Sequence, residues 1–84
     1  MDRFLVESTH TTKDCDNVLD LFVFHGYINH FEWGCKAGVH TGWATLEAEN
    51  ESQALLAVPP LLRSNARAIR LHKYTPEEIR KDHE

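Results

Sequence analysis

The apolar run Phe4, Leu5 and Val6 sits between polar residues in "RFLVEST" at positions 3–9, and its β-branched and aromatic members make the chain open with a short strand. The period then changes. The polar stretch "HTTKD" supplies threonines that can cap a helix, and Asp14 and Asp16 suit the positive end of its dipole. Cys15, Val18, Leu19, Phe22 and Val23 follow at helical spacing and form one apolar stripe. A first helix is therefore predicted over residues 12–25, with Gly26 as its stop.

The segment "FEWGCKAGVHTGW", residues 31–43, reads as an antiparallel hairpin turning at Ala37-Gly38. Pairing about that turn sets Trp33 against Trp43, Cys35 against Thr41 and Phe31 against Thr45 on one sheet face. The other face receives Gly34, Gly42, Ala44, Leu46 and Ala48, small and apolar residues against which helices can lie. Asn50 and Gln53 form a capping box for a second helix bearing Ala54, Leu55 and Val58, which Pro59-Pro60 ends or kinks. Residues 66–73 alternate again, as a last strand does. Thr75-Pro76-Glu77-Glu78 then opens a short C-terminal helix. The order strand, helix, strand, strand, helix, strand predicts an α+β domain with the ferredoxin-like βαββαβ plan: a four-stranded antiparallel sheet with two helices on one face. Residues 1–84 make a single domain, with residues 76–84 as an appended helix or tail.

Composition narrows the class. The 84 residues are 42% hydrophobic and 26% charged, as in a folded soluble protein, and no apolar run reaches the roughly 20 residues of a membrane span. "MDRFLVESTH" lacks the apolar core of a signal peptide, so a cytoplasmic protein is expected. Two cysteines in that setting are read as reduced thiols, buried or metal-binding. The net charge of −4 argues against a nucleic-acid partner held through phosphates. "HTGWATLEA" does echo the third strand of RNA-recognition motifs, but Thr45 and Ala48 stand where that pattern needs aromatics.

A sheet face bearing Phe31, Trp33 and Trp43 is an apolar patch that soluble monomers rarely expose, so a homodimer packed face to face is expected. At this point the pattern resembles a known group. The first strand "RFLVE", the tryptophan-bearing hairpin and "GWATLEAENESQALLAV" entering the second helix resemble small bacterial proteins of the dimeric α+β-barrel superfamily, over about the first 73 residues. The resemblance implies a dimer with a sheet-lined cavity. The superfamily includes cofactor-independent monooxygenases, muconolactone-isomerase-like enzymes and small nickel-binding proteins, so it does not settle the chemistry. With Glu7 and Arg70 assigned to the same face as Phe31, Trp33, Cys35 and Trp43, the expected site suits a small aromatic or acidic ligand. No nucleophile triad, phosphate loop or nucleotide fingerprint accompanies it, so an enzyme has no positive signature.

The same topology gathers His10, Cys15, Cys35 and His40 at one sheet edge. The spacings His10-x4-Cys15 and Cys35-x4-His40 belong to no zinc-finger pattern, yet two Cys and two His are donors that zinc, nickel or copper accept. A transition-metal site using His10, Cys35 and His40 is the first alternative function, and a cofactor-independent monooxygenase- or isomerase-like enzyme, which the resemblance implies, is the second. Cys15, on the apolar stripe, is read as a small core residue, and Cys35 as either an interface residue or a functional thiol.

Overall fold

A computed structural model describes residues 1–83 of the chain. Four strands form one antiparallel sheet in the order β2-β3-β1-β4: β1 Asp2–Thr9, β2 Glu32–Trp33, β3 Thr41–Ala48 and β4 Ala66–Arg70. The helices are α1 Cys15–Phe24, α2 Glu51–Ala54 and α3 Pro76–His83. No helix among the described residues is long and apolar enough to cross a membrane.

Alternation along β1 and β3 puts Phe4, Val6, Ala44 and Ala48 on the face that Val18 and Phe22 of α1, Ala54 of α2 and Val58 cover, and these residues form the core with Phe31. The stripe read from the sequence thus packs where it should, and Gly26, with φ +80°, ends the turn that follows α1. The helix starts three residues later than predicted. Thr11 and Asp14 instead close a turn of their own, with the Asp14 amide donating to the Thr11 carbonyl at 3.1 Å. Helix α2 is shorter than predicted: Asn50 caps it by accepting from the Gln53 amide at 2.9 Å, but the backbone tightens to 3-10 geometry over Leu55–Ala57 before Pro59 and Pro60. The last strand ends at Arg70 instead of residue 73.

The largest difference lies in the hairpin. Its connection is not a tight two-residue turn: residues 34–40 form it, with a 3-10 turn at Cys35–Ala37 and Gly38 at φ +86°. This shifts the register by one, so that Trp33 pairs with Gly42 and Glu32 with Trp43. Side chains alternate between sheet faces, so a slip of one moves a whole strand to the other side. Trp33 consequently lies on the helix-covered face with buried Phe31, and only Trp43 remains on the open face. A Cβ on Gly42 would stand 2.6 Å from the Trp33 ring, so glycine is what lets the indole lie against β3. Phe22 locks it there, with edge-on ring centroids 4.8 Å from Trp33 and 4.9 Å from Phe31.

The expected partnership of Glu7 and Arg70 is also corrected. Arg70 pairs with Phe4 on the covered side, its guanidinium 5.5 Å from the Phe4 ring centre, whereas Arg67 pairs with Glu7. The Glu7 carboxylate accepts from the Arg67 Nε at 3.0 Å and from the Trp43 indole at 3.1 Å.

Candidate metal centre

Backbone bonds at one end of the sheet bring two histidines together. His10 follows β1 directly, His40 precedes β3, and the last pair of those strands is Thr9 with Thr41. The His10 amide continues the pairing by donating to the His40 carbonyl at 3.0 Å. The imidazole centroids are 5.4 Å apart.

Two short turns deliver the cysteines. Cys15 is the first residue of α1 and is set in place by the Thr11–Asp14 turn. Cys35 sits on the 3-10 turn, which Gly34 folds back by accepting from the amides of Ala37 and Val39. That fold needs glycine at position 34, since a Cβ there would meet the Val39 carbonyl oxygen at 2.8 Å. Cys35 Sγ reaches His10 Nε2 at 3.4 Å, and the Cys15 sulfur lies within 4.8 Å of the Cys35 sulfur.

One donor atom from each of His10, Cys15, Cys35 and His40 lies within 4.8 Å of the other three, and all four residues are half-buried. Zinc bonds of about 2.0–2.3 Å in tetrahedral geometry place donors roughly 3.3–3.8 Å apart, so small side-chain rotations close the set around an ion. Burial and then the charge of His40 lower the affinity of His10 for a proton, against an opposing pull from Asp14. The neutral ring keeps the lone pair that a metal needs. Burial, and next the neighbouring Cys35 thiol, push the Cys15 thiol up, because a second thiolate there has only another sulfur beside it. A bound dication reverses that preference by neutralising the thiolates. Nδ1 of His10 and Nδ1 of His40 are buried with no hydrogen-bond partner among the described residues, as is the Trp33 indole nitrogen.

Comparison with protein-family models, curated proteins and solved structures gives no match for this chain.

The structure therefore brings three of the expected ligands, His10, Cys35 and His40, into one cluster and adds Cys15 to it. Sequence reasoning set Cys15 aside because its place on the apolar stripe concealed that the stripe runs out at the sheet end. The repeated x4 spacing was the available signal. The open-face set is dispersed: Glu7 and Trp43 stay together, while Phe31 and Trp33 enter the covered layer, Cys35 joins the histidines and Arg70 covers Phe4.

Proposed function

We propose that this protein binds one divalent transition-metal ion through His10, Cys15, Cys35 and His40. Zinc is the ion that two thiolates and two imidazoles suit, with nickel and copper as competitors. The observation that carries this reading is the approach of four donors, from two stretches of chain at residues 10–15 and 35–40, to within 4.8 Å of one another. Four protein donors complete a tetrahedral sphere, so the ion is held rather than offered to a substrate.

A small-ligand site on the open face has less support, because Glu7 is already engaged by Trp43 and Arg67 and the other expected wall residues lie elsewhere. The monooxygenase or isomerase alternative rests on that same face and weakens with it. For the architecture we propose the ferredoxin-like plan, which the order β2-β3-β1-β4 supports, and a homodimer that pairs the open faces over Leu5, Trp43 and Ile69.

Loading with zinc, dialysis against metal-free buffer and elemental analysis test the metal reading. The protein is expected to retain stoichiometric zinc, and His40→Ala and Cys15→Ser to lose it. A wild-type protein that emerges zinc-free, and that also fails to retain nickel or copper, overturns the proposal.

A further inference from the structure

Cys15 and Cys35 are the two cysteines of the chain, neither is in a disulfide, and their sulfurs lie within 4.8 Å of each other. We infer that these sulfurs are a redox couple: a peroxide joins them in a disulfide and so expels the metal, and a thiol reductant restores the site. The release of metal rests on the proposed metal function; the joining of the sulfurs does not.

A disulfide holds its sulfurs about 2.05 Å apart, so the pair must approach before it can bond. Neither cysteine lies in a strand. Cys15 opens α1, where its amide reaches the Thr12 carbonyl only at 3.4 Å, and Cys35 opens the 3-10 turn of the hairpin connection. Side-chain rotation at these two element ends brings the sulfurs together without breaking a bond of the sheet ladder. Both residues are half-buried, which leaves them open to an oxidant as small as hydrogen peroxide. With no third cysteine in the chain, the pair has no rival within the molecule. One sulfur attacks the O–O bond as a thiolate and becomes a sulfenic acid, releasing the first water once a proton is taken up; the other sulfur displaces the sulfenic oxygen as the second. In all, two thiolates, two protons and one peroxide give one disulfide and two waters. The sulfurs lose two electrons and the zinc stays divalent. A metal is held by thiolate, and a disulfide sulfur carries no charge, so His10 and His40 alone remain of the four donors. The ion and the S–S bond therefore exclude one another. In the return step, two molecules of a thiol reductant regenerate both thiols and leave as their own disulfide.

Reduced protein is loaded with zinc and dialysed, a second sample is kept metal-free, and both are treated with hydrogen peroxide. A chromophoric chelator should record zinc leaving the loaded sample, and the affinity of the oxidised protein for zinc should be about a thousandfold lower or worse, since two donors of the set are lost. The tryptic peptide of residues 14–36 contains both cysteines. In both samples its mass should fall by two hydrogens, and dithiothreitol should restore both the mass and the zinc binding. Cys15→Ser and Cys35→Ser, each left with one thiol, should instead gain an oxygen that dimedone captures as sulfenic acid. Zinc retained by protein whose sulfurs are joined, sulfinic acids in place of the S–S bond, or a link formed only between chains overturns the inference. The metal reading is judged before peroxide is added: reduced protein that holds no zinc removes that reading and the release step with it, and the metal-free sample then decides whether the sulfurs join. Zinc held by reduced protein whose sulfurs never join keeps the metal reading and removes this one.

Discussion

Cys15 belongs to two patterns at once. Val18 and Phe22 continue its stripe into the core, yet at the first position of α1 its sulfur meets Cys35 and the histidines instead of another apolar layer. Replacing it tests whether it is a ligand. If each donor supplies about a quarter of the roughly 10–16 kcal/mol of a structural zinc site, Cys15→Ser should weaken zinc about a hundredfold or more, measured by competition with a chromophoric chelator. A core role alone would lower stability and leave zinc affinity unchanged. Away from the cluster, the Glu78 carboxyl lies below its ordinary 4.5, chiefly through the hydrogen bond with His72 at 2.8 Å and against the effect of burial. A carboxyl whose folded value is depressed contributes stability above its unfolded value and loses it as pH falls through the folded value. The carbon resonance of Glu78 should therefore titrate below 4.5, and His72→Ala should move that midpoint upward.

At the scale of elements, the hairpin decides which tryptophan is structural. Trp33 lies on Gly42 and is wedged by Phe22, so a methyl group added at Gly42 has nowhere to go. Gly42→Ala should cost about 1–3 kcal/mol, and each kcal/mol lowers the melting temperature of a domain this size by about 4–8 °C. Gly38→Ala is the contrast: there is open space around that position, so only its φ of +86° is paid for, at about 1 kcal/mol. Calorimetry on both variants should rank Gly42→Ala as the more damaging, and the opposite ranking would contradict the observed register. The strand of residues 3–9 was legible from its β-branched and aromatic residues, that of residues 41–48 because half-buried strands alternate visibly, and the α1 stripe from its helical spacing. Helix α2 was only partly so: its cap was plain in Asn50 and Gln53, but the tightening before Pro59 depends on how the chain must descend to β4.

For the whole molecule, the core of Phe4, Val6, Phe22 and Val58 lies in the covered layer, while the His/Cys cluster proposed to hold a metal closes one end of the sheet. Chelation should therefore lower the melting temperature and change Trp33 fluorescence, its ring lying 6.2 Å from His10, while the far-ultraviolet dichroism of the sheet persists. Complete unfolding on chelation would mean that the core cannot stand without the ion. The proposed dimer is tested by sedimentation: the open face mixes Leu5, Trp43 and Ile69 with the charges of Glu7 and Arg67, so association is expected to dissociate on dilution, and Ile69→Glu to abolish it. A monomer at every concentration removes the face-to-face pairing. Hydrophobic period, capping residues and turn residues are local, and they were enough for the strand-helix order, the faces of β1 and β3, and the gathering of His10, Cys15, Cys35 and His40 at one edge. The hairpin register, the exchange of Arg70 for Arg67 beside Glu7, and the turning of the Cys15 sulfur toward the other three donors instead of the core were decided by tertiary structure. Each depends on distances between segments far apart in sequence, and a shift of one residue in a loop reverses which face a side chain occupies.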